Sequence, residues 1–261
     1  MKKYLSKILK IGNQLLSKNR PIPNIDTNVM IDMLRLTEVI YYNQKCQKSL
    51  LDDQLLEFIE NRYDLQVGIT ISDKQHRIVV VFRGSESLKD FVQDIKINKI
   101  SLGDNIRVHD GFYQQLIENY DQLEQIVKKL LEKHPTYQLY VTGHSLGGAL
   151  ATLYSYMLSS KIDQSITVMT FGSPRVGNYK FADSFMKKKN IIHYRITNGR
   201  DIITALPIIN YYHTGYHIIL KNHQIKTQMN NNCLLKWYRS SILHNWRIDD
   251  HLLVNYFRNI I

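Results

Sequence analysis

Between residues 137 and 158 the chain reads YQLYVTGHSLGGALATLYSYML, and this stretch restricts the fold more than any other. Residues 137–142, YQLYVT, carry the aromatic and β-branched side chains of a strand. Beyond them Leu150, Leu153, Tyr154 and Met157 recur at helical spacing. A strand therefore becomes a helix within a few residues, with Ser145 at the junction. Gly143 and Gly147 flank it where a turn this tight presses side-chain positions against the neighbouring strand and helix, leaving room only for hydrogen. Gly148 and Ala149 extend the close packing. Chance supplies a Gly-x-Ser-x-Gly pattern in roughly 0.03 chains of this composition, and the strand-to-helix setting adds to its weight.

The rest of the chain follows the same alternation. Residues 27–46 place Met30, Met33, Leu34, Ile40 and Tyr41 on one helical face. VGITIS at 67–72 and RIVVVF at 77–82, separated by DKQH, read as a hairpin. From Phe112 through Leu116, Tyr120, Leu123, Ile126, Val127 and Leu130 an amphipathic helix runs until Pro135 stops it. ITVMTF at 166–171 and IIHYRIT at 191–197 are further strands. This order predicts an α/β fold: a mainly parallel sheet covered by helices, with ligands at the carboxyl ends of its strands.

A chain of 261 residues with 44% apolar side chains is expected to form one domain over residues 1–261, since no linker or repeat divides it. Lys and Arg exceed Asp and Glu by 11, but the charges are spread, with Lys187, Lys188 and Lys189 the one basic run, and this disfavours nucleic acid as a partner. Residues 1–26 form a basic amphipathic extension with Leu5, Ile8, Leu9, Leu15 and Leu16 at near-helical spacing, a cover for the domain's own core or a membrane-surface helix. No signal-peptide core or transmembrane run is read, so the cytoplasm is the default expectation for location, and a monomer is expected separately. Cys46 and Cys233 alone make neither a disulfide framework nor a zinc site, and neither metal nor organic cofactor is expected.

If Ser145 is a nucleophile, it needs a base to take its proton and an acid to orient that base. The helix starting after it aims free N–H groups at the place where an oxyanion would form, Leu146 first. Asp201, after a turn signal at the end of the strand IIHYRIT, is better placed for the acid than Asp163, Asp183, Asp249 or Asp250. His251 sits at a loop-to-helix junction and suits the base, with His244 the competitor. His193 lies within a strand and reads as structural, and HTGYH makes a helical metal pair of His213 and His217 improbable. Ser145, Asp201 and His251 follow the chain order of α/β-hydrolases.

Five segments, VVVFRGSES, VHDGFY, VTGHSLGGALA, FGSPRVGN with RITNGRDIITALP, and DDHLLVNYF, lie in the order in which class 3 lipases carry them. The chain resembles that family. The resemblance implies an α/β-hydrolase fold and hydrolysis of acylglycerol esters at a lipid–water interface. It assigns Ser145 as nucleophile, Asp201 as acid and His251 as general base, and it demotes His244. It adds Ser85 as a second oxyanion donor beside Leu146, and gives His109 and Asp110 a supporting role at Gly111 and Phe112. It also implies a lid helix near residues 86–96, with Leu88, Phe91, Val92 and Ile95 facing the site. Thr204 stands where the family usually has proline. Phospholipase A1 or short-chain esterase activity are alternatives, as is a hydrolase-fold interaction protein without catalysis.

Overall fold

The computed structural model describes residues 23–42, 52–85, 87, 97–228 and 247–260. The N-terminal extension before residue 23, the expected lid side chains, both cysteines and His244 lie outside the described residues. In chain order the elements are α1 (Thr27–Tyr42), β1 (Gln54–Glu60), β2 (Gln66–Ser72), β3 (Arg77–Phe82), β4 (Lys99–Ser101), β5 (Arg107–His109) and α2 (Asp110–Lys133). Then come β6 (Gln138–His144), α3 (Leu146–Leu158), β7 (Ile166–Phe171), α4 (Tyr179–Lys187), β8 (Ile191–Asn198), β9 (Tyr216–Lys221), β10 (Gln224–Gln228) and α5 (Leu253–Ile260).

Eight strands form one sheet in the order β1-β2-β3-β6-β7-β8-β9-β10. The five inner strands β3, β6, β7, β8 and β9 are parallel, and antiparallel neighbours close both sides. Alternation along the strands divides the apolar side chains between two cores. Ile78, Val80 and Phe82 join Leu116, Leu123, Leu150 and Tyr154 on the face covered by α2 and α3. Val79 and Val81 turn to the other face, with Met30, Met33 and Leu34 of α1 and Tyr256 of α5. Each fully buried large side chain contributes about 1.5–3 kcal/mol, which is why the period-2 pattern locks the register.

The expected helices and strands are found with shifted ends. Helix α1 is capped by Asp26, whose carboxylate accepts from the N–H of Asn28 at 2.8 Å, and its described part ends at Tyr42. Strand β6 continues through Gly143 to His144, two residues past the expected end, because the parallel ladder with β7 runs on to Phe171. Strands β1, β4, β5, β9 and β10 are additions to the expected set. Edge strand β1, QLLEFIE, is largely open to solvent, and its apolar residues fall in adjacent pairs, Leu55–Leu56 and Phe58–Ile59, with no period-2 alternation.

His193 is structural, as its strand position implies. Its ring joins the hydroxyls of Thr170 and Thr214 at 3.0 Å each, and burial, then the nearby Arg195 charge, push its pKa from 6.5 down to about 3. A histidine kept neutral by the fold stabilises it above pH 6.5, and that contribution is lost as pH falls from 6.5 toward 3. The slope is about 1.4 kcal/mol per pH unit for one proton. We expect His193→Gln to flatten the dependence of unfolding free energy on pH between 6 and 4 by about that slope. Superimposable slopes in denaturant titrations would refute this assignment.

Candidate active site

The junction between β6 and α3 turns through Ser145 at φ 57° and ψ −126°, a left-handed conformation rare for a residue with a side chain. The Ser145 N–H donates to the Phe171 carbonyl at 2.9 Å, which pins the turn to β7. A Cβ at Gly143 would lie 2.4 Å from the backbone of Gly147, and one at Gly147 would lie 2.2 Å from the Phe82 carbonyl oxygen. Backbone cannot swing aside as a side chain can. Gly147→Ala is therefore expected to cost about 3 kcal/mol or more, read as a fall in Tm of about 6–12 °C. A shift under about 2 °C would show that the turn tolerates a methyl group there.

Asp201 lies in the loop after β8, buried, and His251 ends a short 3-10 turn, Asp249–His251, that leads into α5. Their side chains meet: His251 Nδ1 is 2.8 Å from Asp201 Oδ2. The same carboxylate oxygen accepts from the Tyr256 hydroxyl at 2.6 Å, and Asp201 Oδ1 accepts from the Ile203 N–H at 2.9 Å. A carboxylate holding these donors fixes the proton of the imidazole on Nδ1 and leaves the lone pair on Nε2. Among the described residues neither His251 Nε2 nor Ser145 Oγ has a hydrogen-bond partner, although both atoms are buried.

These two atoms belong to residues on the wall of one cavity of about 520 Å³, whose lining includes Tyr41, Arg83, Ser85, His144, Ser145 and His251. The three expected triad residues and Ser85 are thus brought together, and Leu146 follows as the first residue of α3. As the opening residue of a helix, Leu146 has an N–H without an intrahelical partner. Leu88, Phe91, Val92 and Ile95 lie outside the described residues. His109 caps α2, its Nδ1 accepting from the Phe112 N–H at 3.3 Å, the supporting position expected of it.

Several supporting groups were not legible in the sequence. His144 Nε2 donates to the His251 carbonyl at 2.8 Å, so its Nδ1 is the acceptor for the Tyr41 hydroxyl at 3.1 Å. Burial first, then the adjacent His251, hold the His144 pKa well below 6.5. A neutral ring thus lies 4.4 Å from the His251 ring, where a second cation would oppose its protonation. Gly172, at φ 61°, leaves space for the Asp–His pair, since a Cβ there would lie 2.8 Å from both Asp201 Oδ2 and His251 Cε1. Tyr41 carries no local signal, whereas Tyr256 lies inside DDHLLVNYF and was within reach of a motif-based reading. Arg175 of FGSPRVGN donates to the carbonyls of Ala205 and Pro207, which anchors the Asp201 loop. The Thr204 hydroxyl donates to the Asp201 carbonyl at 2.8 Å, constraining the loop where a proline was expected.

The family model described as Lipase (class 3) matches residues 79–211. A lipase of Rhizopus niveus is 32% identical over 197 residues, covering 71% of this chain and 49% of its own. The secreted mono- and diacylglycerol lipase 1 of Fusarium solani is 33% identical over 151 residues, covering 56% of this chain and 45% of its own. The chain spans about half the length of the curated relatives it matches. The solved triacylglyceride lipase of Rhizomucor miehei superposes with a TM-score of 0.78 at 24% identity, covering 86% of this chain and 92% of its own, so the fold is that of the α/β-hydrolases. The default expectation of a cytoplasmic location is corrected by the relatives, one of which is named as secreted. No helix among the described residues is long and apolar enough to cross a membrane.

Proposed function

The chain belongs to the class 3 lipase family, and from that premise we propose that it is a serine hydrolase cleaving acylglycerol esters, a single domain acting as a monomer at a lipid–water interface. One observation carries the reading: Ser145 Oγ and His251 Nε2 are buried without partners on the wall of one cavity, while Asp201 holds the far side of the imidazole. Each unmet polar atom costs about 1–3 kcal/mol, a penalty that a reacting substrate relieves.

In this reading Nε2 of His251 removes the Ser145 proton as Oγ attacks the ester carbonyl. The N–H groups of Ser85 and Leu146 donate to the tetrahedral oxyanion. His251 then gives its proton to the leaving alcohol, and a water activated by the same nitrogen frees the fatty acid and restores Ser145. Asp201 keeps the imidazole in the required tautomer and stabilises its charged form. This route uses neither metal nor organic cofactor.

The mono- and diacylglycerol named for the Fusarium solani relative are included in the substrate class tested. The purified protein would be assayed against monoacylglycerol, diacylglycerol, triacylglycerol, phosphatidylcholine and short p-nitrophenyl esters. Release of fatty acid from an acylglycerol at a rate above that from phosphatidylcholine is expected. Failure to hydrolyse any of the esters would defeat the proposal.

A further inference from the structure

A second cavity, about 500 Å³, lies beside the first, lined by Arg200, Lys221, Asn222, Arg247, Asp250 and Asn259 among others. Three cations face one carboxylate. That carboxylate is already engaged, since Asp250 Oδ2 accepts from the Arg200 N–H at 2.7 Å. Among the described residues neither Lys221 nor Arg247 forms an ion pair, and both are exposed. Between Asp201 and Asp249 the sequence contains no Asp or Glu and five Lys or Arg, so this whole span brings no carboxylate to neutralise the cavity.

We infer that this cavity binds a phosphate-type oxyanion, either the phosphodiester of an anionic phospholipid headgroup or a free phosphate. Guanidinium groups meet phosphate oxygens with paired N–H donors, a lysine adds a point charge, and the amide of Asn222 supplies a neutral donor. Asn259 is itself positioned by donating to Asn198 Oδ1 at 2.8 Å, so the cavity floor is tied to the end of β8. Between Arg247 and Asn259, which line this cavity, the chain exposes Ile248, Leu252 and Val254 at 43%, 48% and 50%, and Leu252 and Val254 also line the first cavity. A headgroup phosphate held by the cations would set these apolar side chains against the acyl region. Arg200 precedes Asp201 and Asp250 precedes His251, so the bound anion would lie one residue from each member of the Asp–His pair.

The test measures binding without turnover, on wild-type and Ser145→Ala protein alike, so its outcome is separate from that of the hydrolase reading. Vesicles of phosphatidylcholine, with or without one third phosphatidylglycerol, are sedimented with the protein, and inorganic phosphate is titrated in thermal unfolding. The double variant Lys221→Ser/Arg247→Ser is compared with Lys129→Ser/Lys133→Ser, which removes the same charge from exposed positions of α2. A basic residue near an anionic surface contributes about fivefold, so the cavity pair should weaken phosphatidylglycerol vesicle binding by roughly 10- to 30-fold and the α2 pair by less than about threefold. Loss confined to the cavity variant supports the site. The arm that shows the loss, vesicles or inorganic phosphate, identifies the source of the oxyanion. Equal losses in both double variants, or no loss in either arm, would overturn it.

Discussion

Ser145→Ala is expected to lower kcat for ester hydrolysis by at least about 10⁴-fold and to abolish covalent labelling by a fluorophosphonate. Alanine keeps the Cβ and the backbone of the turn, so the left-handed conformation at this position acquires no new clash. The substitution also removes the buried hydroxyl that lacks a partner, and stability should hold or rise by up to about 1 kcal/mol. Loss of activity with an unchanged melting temperature separates chemistry from folding. Hydrolysis within tenfold of the wild-type rate, or labelling that persists in the variant, would exclude Ser145 as the nucleophile.

The second large effect belongs to Asp201→Asn. The substitution is nearly isosteric, but an amide NH₂ turned toward His251 would donate where the carboxylate accepts. The imidazole would then carry its proton on Nε2, facing Ser145, and could not act as base. A fall in kcat of about 10⁴-fold is expected. Tyr256→Phe provides the graded comparison, since it removes only the 2.6 Å hydrogen bond to the same oxygen. Burial and the Asp201 charge keep that hydroxyl protonated, raising its pKa well above 10, so it remains a donor across the working pH range. Its loss should reduce kcat by about tenfold and leave KM nearly unchanged, because the bond acts through Asp201 and His251. An Asp201→Asn protein that folds and retains more than a tenth of the activity would remove Asp201 from the mechanism.

His144 connects the Ser145 turn to a distant helix. Its neighbour Ser145 is defined by the turn alone, but the ring of His144 is held between the Tyr41 hydroxyl of α1 and the His251 carbonyl before α5. Both helices lie on the sheet face opposite α2 and α3. The packing of that face therefore sets the position of His251, and destabilising α1 disturbs the site without touching Ser145.

Features whose causes are local were legible in the sequence. The Gly143–Ser145–Gly147 turn is one, because the backbone itself supplies the clashes that demand glycine, and the two hydrophobic periods of the inner strands and helices are another. A loop position at the carboxyl end of a strand was enough to favour Asp201, and a loop-to-helix junction favoured His251, although choosing between His251 and His244 took the family resemblance. Edge strand β1 escaped notice because its apolar residues pair up instead of alternating. The contacts of Tyr41, Gly172 and Tyr256 and the convergence of Arg200, Lys221 and Arg247 were decided by the tertiary structure alone. Each joins residues far apart in the chain, and a hydrogen bond or a shared field across such a separation depends on how the sheet and its helices are stacked, which no local spacing records.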